Sequence, residues 1–301
     1  MILEYDSGAI RAQLARSRRT LVQDVAFTIA PGESLALIGE TGSGKTMIAL
    51  SIMDLLPRNV RQEGASLRFC GAPLPRGRRM RRLLGIRIVY IPQNGAEFLS
   101  PSKKVRFHLY DGLKKAGIPA AKRRTAALDR LRSAGFESPE EVLDKYPFQL
   151  SGGMAQRVTI ALAACGAPEL IIADEPTNGL DQAARERFMS LLATLFPNSG
   201  RLIITHDMAV AALCDRTLVL CGGRRMEQGP SRQVLTAPRS PYTRALLAAL
   251  VSSGMAETPL LREGESPCPF YRRCPSASEA CEAGAPADHR RGETEWWCCG
   301  P

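Results

Sequence analysis

Apolar residues fall into two kinds of run along this chain. Ser34-Leu35-Ala36-Leu37-Ile38 is short and unbroken, the pattern of a strand buried on both faces. Glycines follow at once. From Lys45 to Leu56 the apolar positions Met47, Ile48, Leu50, Ile52, Met53, Leu55 and Leu56 predict a helix that Pro57 stops. Leu170-Ile171-Ile172-Ala173 and Leu202-Ile203-Ile204-Thr205 repeat the strand pattern around an amphipathic stretch, Gln182 to Phe196, and Leu218-Val219-Leu220 precedes a Gly222-Gly223 turn. Strands alternating with helices predict a parallel sheet with right-handed crossovers.

Between about Glu97 and Ala164 the strand pattern fades, and Arg106 to Gly117, Ala120 to Ala134 and Gly153 to Ala164 predict helices. This is a helical insertion into a sheet domain, at about residues 97–164. Ala237-Pro238-Arg239-Ser240-Pro241 predicts a linker. It divides the chain into residues 1–236 and 237–301, the latter opening with a short helix, Tyr242 to Val251, and running into a tail rich in Cys and Pro. No internal repeat is present.

Composition narrows the class. A chain of 301 residues, 45% hydrophobic and 23% charged, is an ordinary globular protein, and no run approaches the ~18 apolar residues of a membrane span. The opening Met1-Ile2-Leu3-Glu4-Tyr5-Asp6 lacks the order of a signal peptide, so the chain is expected in the cytoplasm. A net charge of +10 suits an anionic partner without choosing one. The densest basic run, Arg76 to Arg82, has no interleaved aromatics and reads as a solvated loop rather than a phosphate-reading patch. Of nine cysteines, Cys70, Cys165, Cys214 and Cys221 lie among apolar residues and read as small buried hydrophobes. Cys268, Cys274, Cys281, Cys298 and Cys299 crowd the tail and need another explanation.

Gly39-Glu40-Thr41-Gly42-Ser43-Gly44-Lys45-Thr46 matches G-x-x-x-x-G-K-[ST] between a predicted strand and a predicted helix, the setting that motif requires. Glycines let backbone N–H groups curl around phosphate oxygens, Lys45 reaches the β- and γ-phosphates of ATP, and the Thr46 hydroxyl binds Mg²⁺. In Leu170-Ile171-Ile172-Ala173-Asp174-Glu175 an apolar strand ends in two carboxylates, suited to Mg²⁺ (Asp174) and to polarising a water (Glu175); a carboxylate pair could also merely cap a turn. His206 follows the next strand, and a lone histidine there is otherwise structural.

Leu150-Ser151-Gly152-Gly153-Met154, followed by Ala155-Gln156-Arg157-Val158, resembles the signature motif of ABC ATPases, although Ser-Gly-Gly at a helix start also suits an N-cap. The resemblance covers about residues 20 to 236. It implies a P-loop NTPase core with a mainly parallel sheet, an N-terminal antiparallel β part, an inserted helical subdomain and a small Cys-rich C-terminal extension. It further implies ATP sandwiched between two cassettes, with Ser151, Gly152, Gly153 and Asp181 touching the nucleotide held by the partner. Gln93, in Tyr90-Ile91-Pro92-Gln93, resembles the glutamine that senses Mg²⁺ and the attacking water, and His206, in Thr205-His206-Asp207, the switch histidine. The aromatic that other cassettes stack on adenine is missing from Ala15-Arg16-Ser17-Arg18-Arg19-Thr20, leaving Arg18, Arg19 or Tyr5 for that contact.

Pro241-Tyr242-Thr243-Arg244-Ala245-Leu246-Leu247-Ala248-Ala249 and Cys268-Pro269-Phe270-Tyr271-Arg272-Arg273-Cys274-Pro275 resemble the C-terminal extension of oligopeptide, dipeptide and nickel importer ATPases. Cargo is then a peptide, nickel or a metal–chelator complex. The implied partners are two transmembrane permeases, an extracytoplasmic solute-binding protein and a second cassette, a paralogue forming a heterodimer, with the chain peripheral on the cytoplasmic face of a bacterial membrane and no nucleic acid bound. A soluble ABC ATPase acting on nucleic acid or ribosomes is the rival. Four such cysteines, whose spacing is not C-x-x-C, suit an iron–sulfur cluster or zinc equally by ligand type, with free thiols the alternative to metal binding; the resemblance favours a [4Fe-4S] cluster on Cys268, Cys274, Cys281 and Cys298, with Cys299 an adjacent substitute.

Overall fold

The computed structural model describes residues 1–15, 17–249, 266–284 and 286–299. Arg16 and residues 250 and 251, where the sequence reading carries a helix on, fall outside them. The chain forms two compact units assembled from separate stretches. Met1–Leu3, Ile29–Glu33 and Phe69–Ile204 make the first, and Glu4–Thr28, Ser34–Arg68 and the described part of Thr205–Pro301 the second.

In the first unit, strand Leu170–Asp174 pairs in parallel with Ile88–Ile91 on one side and Gly200–Ile204 on the other. Leu170–Asp174 and Gly200–Ile204 are buried at every residue, which is why Leu170-Ile171-Ile172-Ala173 and Leu202-Ile203-Ile204 within them read as buried strands. Helices Val105–Lys115, Ala120–Ser133 and Gly152–Ala163 pack against one another, close to their predicted bounds. Val105, Leu109 and Leu113 make a fully buried stripe at helical spacing, and Ala127 and Leu131 supply another. Each such leucine contributes about 1.5–3 kcal/mol by leaving water.

Two short helices escaped the periodicity reading because they are too brief to show a period: Gly95–Phe98, whose Asn94 Oδ1 accepts the Ala96 N–H at 3.1 Å, and Pro139–Asp144. The arginine run differs from the expected loop. Arg78–Leu83 is helical, with Met80 buried at 1% exposure as its anchor while Arg78, Arg79, Arg81 and Arg82 stay in solvent.

In the second unit, Ala9–Gln13 pairs antiparallel with both Arg18–Gln23 and Val60–Glu63, the expected N-terminal β part. Ser34–Ile38 pairs in parallel with Arg216–Cys221, which turns at Gly222-Gly223 and returns antiparallel as Arg224–Pro230. The tail continues this sheet. Thr294–Cys298 pairs antiparallel with Arg224–Pro230 and with Ala287–Arg291. Arg225 ties the added hairpin down through Glu295 (2.6 Å) and Asp288 (2.5 Å). Glu227, with no solvent exposure, accepts the Arg239 and Ser240 N–H groups at 2.8 and 2.9 Å, fixing the segment expected as a linker.

The helix expected to run from Lys45 to Leu56 ends at Ile52. Met53 closes the last turn on the Ala49 carbonyl, and Asp54 takes φ 57°, a left-handed conformation that helix propagation cannot pass. Tyr5 is buried, bonds to Ser51 at 2.9 Å and stacks on Phe27 with ring centroids 4.8 Å apart. That removes it as an adenine-stacking residue, whereas Arg18 and Arg19 are exposed.

Candidate functional site

In the second unit, strand Ser34–Ile38 hands the chain directly to Gly39–Gly44 and then to helix Lys45–Ile52. Two glycines are sterically required. A Cβ at Gly39 (φ 150°) would stand 2.1 Å from the Leu220 carbonyl oxygen, and one at Gly44 (φ 102°) would stand 2.8 Å from Val22 Cγ2. Lys45 is buried and donates from Nζ to the carbonyls of Gly39 (2.7 Å) and Glu40 (2.9 Å), so its ammonium is held inside the curve of the loop. Ser43 is also buried, and among the described residues its hydroxyl has no hydrogen-bond partner, as expected of an atom that a bound oxyanion satisfies. Glu40, Thr41, Gly42 and Thr46 are exposed. A cationic, amide-rich loop at a helix N-terminus fits a polyphosphate.

His206 belongs to the same unit. The Thr205 N–H donates to the Leu37 carbonyl at 3.1 Å, so exposed His206 emerges beside the strand that feeds the loop. Its turn is fastened by the Asp207 N–H to Thr205 Oγ1 at 3.0 Å, and Asp207 Oδ1 accepts the Ala209 N–H at 2.9 Å to start helix Met208–Ala212.

In the first unit, the parallel register sets Ile91 against Ala173, so Pro92-Gln93 and Asp174-Glu175 leave the sheet at its carboxyl edge, where open α/β sheets bind ligands. Tyr90 donates its hydroxyl to Asp174 Oδ2 at 3.3 Å; burial and that carboxylate push the phenol up to about 12, keeping it a donor at neutral pH. Half-buried Glu175 has φ 48°, and its N–H is anchored on the Ile204 carbonyl at 2.8 Å. A left-handed glutamate costs on the order of 1 kcal/mol or more, and such strain concentrates at functional positions.

Gln93, Gly152, Gly153 and Asp174 line one cleft of about 860 Å³ together with Tyr90 and Phe98. Ser151 and Gly153 line a neighbouring one of about 470 Å³. Ser151 also does what its local pattern allowed, accepting the Met154 N–H at 3.3 Å as an N-cap. Asp181 likewise accepts the Ala184 N–H at 2.8 Å and caps helix Gln182–Leu195.

One residue that sequence reasoning left without a role joins these parts. Gln156, 5% exposed on helix Gly152–Ala163, donates from Nε2 to the carbonyls of Gln93 (3.2 Å) and Pro176 (2.5 Å). It therefore fastens the Gln93 segment and the segment after Glu175 to the helix that carries Gly152 and Gly153. Gly95 lets this happen: a Cβ there would stand 2.9 Å from the Ala155 carbonyl and from Gln156 Oε1. The sequence signal was a polar side chain at a position on the buried face of that helix.

The tail cysteines converge. Cys268, Cys274, Cys281, Cys298 and Cys299 all line one pocket of about 140 Å³ in the second unit, although up to 31 positions separate them along the chain. None forms a disulfide. Burial raises the Cys268 thiol, and burial, with help from Cys281, pushes Cys299 up to about 12. Among the described residues no three His, Cys, Asp or Glu side chains are grouped to hold a single metal ion.

Two family models match parts of the chain. Residues 22–178 match the ABC transporter family and residues 226–281 the oligopeptide/dipeptide transporter C-terminal region. The chain is 34% identical to the dipeptide transport ATP-binding protein DppD of Haemophilus influenzae, over 93% of this chain and 89% of that one. It is 37% identical to the oligopeptide transport ATP-binding protein OppD of Salmonella typhimurium, over 89% and 84%. A dimeric ATP-binding cassette solved in a post-hydrolysis state with ADP and phosphate superposes with a TM-score of 0.67 at 24% identity, covering 76% of this chain and 99% of that one.

Proposed function

The chain belongs to the ABC transporter ATP-binding family and is an ATPase, and from that premise we propose that it energises a bacterial importer of peptides. The observation that carries the proposal is the order of the two matches: an ABC cassette followed on the same chain by the oligopeptide/dipeptide C-terminal region. The relatives named for dipeptide and oligopeptide transport agree with it. Among the described residues no helix is long and apolar enough to cross a membrane; in the importer reading the membrane path is formed by separate permease subunits.

In this proposal Lys45, Ser43 and the amides of Gly39–Gly44 hold the phosphates of ATP, and Thr46 and Asp174 hold Mg²⁺. Glu175 polarises the attacking water. Gln93 and His206 orient water and γ-phosphate, and Lys45 offsets the charge that develops on it. Ser151, Gly152, Gly153 and Asp181 serve the nucleotide of a paired cassette, a paralogue, and a solute-binding protein outside the membrane delivers cargo. Nickel or a metal–chelator complex is the finer alternative for that cargo.

We also assign Cys268, Cys274, Cys281 and Cys298, with Cys299 in reserve, to an iron–sulfur cluster. The support is their convergence on one pocket. A multi-iron cluster spreads its thiolate ligands around a wider void than a single zinc ion does.

The test is to tag the chain in its host, solubilise the membranes gently and identify what co-purifies. Multispanning permeases with a second cassette are expected. Soluble or ribosomal partners alone would sink the importer while leaving the ATPase intact.

A further inference from the structure

Glu40 is the one carboxylate inside Gly39–Thr46, a loop built to hold a polyanion. Its side chain does not stand alone. Arg273, 233 positions away, grips it with both ends of the guanidinium, Nη1 to Oε1 at 2.7 Å and Nη2 to Oε2 at 2.9 Å, the bidentate fork that makes arginine–carboxylate pairs specific. The backbone of Glu40 is held as well. Its N–H donates to the Tyr242 hydroxyl at 3.3 Å, and its carbonyl accepts Lys45 Nζ at 2.9 Å.

A packed path supports the arginine. Tyr242 is 1% exposed and meets Phe270 edge to face with ring centroids 5.2 Å apart, and the Arg273 guanidinium lies 5.4 Å from the Phe270 ring centre. Pro269 sits where a Cβ on Gly222 would come within 2.6 Å of it, so the segment is seated against the end of strand Arg216–Cys221. Both Tyr242 and Arg273 lie C-terminal to residue 236, in the part of the chain that the cassette motifs do not use.

We propose that Arg273 is a positioning residue for nucleotide binding: it neutralises and steers away the Glu40 carboxylate, which would otherwise repel the phosphates. The C-terminal region thereby completes the charge balance of the phosphate loop. Because Arg273 directly precedes the pocket cysteine Cys274, the cysteine pocket and the loop share one short segment. The inference rests on Gly39–Thr46 being the nucleotide loop.

The two side chains are 35% and 45% exposed, so solvent screens the pair and the effect is modest, a roughly two- to fivefold loss of nucleotide affinity on its removal. The experiment measures Mg-ATP and trinitrophenyl-ATP binding to the purified full chain at low and high salt, with steady-state hydrolysis alongside. Arg273→Ala should raise Kd and KM by that factor with kcat little changed, and the loss should shrink at high salt. Arg273→Lys should bind within about twofold of wild type, since it keeps the charge. The decisive variant is Arg273→Ala combined with Glu40→Gln, in which no carboxylate needs a counter-charge: affinity should return to the wild-type range. An unchanged Kd in Arg273→Ala, or a double variant as weak as Arg273→Ala, would overturn the proposal. If Arg273→Ala does not fold, Glu40→Gln alone decides: it should bind at least as tightly as wild type, and weaker binding would refute the electrostatic role. Lys45→Ala serves as the separate control, because wild-type-like binding by that variant would overturn the assignment of the loop itself.

Discussion

Replacing Gln156 by leucine keeps the volume of the side chain and removes its hydrogen bonds. The Pro176 carbonyl, which accepts Nε2 in a buried setting, loses a partner that water cannot readily replace, at a cost of about 1–3 kcal/mol. The Gln93 carbonyl is only part-buried, so water recovers some of its loss and about 0.5–1 kcal/mol is expected there. The sum is roughly 1.5–4 kcal/mol, which for a chain of this size lowers Tm by at least about 2 °C. Function should divide along the same line. Gln156 belongs to the first unit and the phosphate loop to the second, so nucleotide Kd should stay within about twofold, while kcat falls at least about tenfold as the Gln93 segment and the backbone after Glu175 loosen. Gln156→Glu should be worse than Gln156→Leu, because it turns a carboxylate toward carbonyl oxygens. Differential scanning calorimetry with steady-state ATPase kinetics checks both halves. A Tm within about 1 °C of wild type together with an unaltered kcat would refute the fastening role.

Glu175→Gln should retain ATP binding and lose at least about a hundredfold in turnover, measured by equilibrium binding and phosphate release; near-normal hydrolysis would remove Glu175 from its role. Glu227→Ala should cost about 2–4 kcal/mol by stranding the Arg239 and Ser240 N–H groups, read from the urea midpoint. Burial raises the Glu227 carboxyl in the folded chain, so its contribution to stability is greatest below the ordinary carboxylate range. It falls as pH climbs toward the raised value and is flat above it. Glu227→Gln should abolish that slope in a pH series of midpoints. An anaerobic preparation should carry iron and sulfide, and Cys274→Ser should lose both by elemental and sulfide assay; zinc in their place would defeat the cluster assignment.

Local pattern carried a good part of this protein. Five consecutive residues that are all buried, Ser34 to Ile38, had to read as apolar, and the glycine spacing after them had to match steric demands now visible at Gly39 and Gly44. The helices between residues 105 and 163 were legible because Val105, Leu109 and Leu113 repeat at the period their burial requires. Periodicity records which face of an element is buried, and steric motifs record what the backbone must do over a few residues. Neither names a distant partner. The grip of Arg273 on Glu40, the reach of Gln156 to two loop carbonyls and the convergence of five cysteines on one pocket join positions far apart in sequence. So does the pairing of Thr294–Cys298 with Arg224–Pro230, which makes the Cys-rich C-terminal extension a continuation of a sheet. Such partnerships are set by how the chain crosses itself when its units form, so they belonged to the tertiary structure alone.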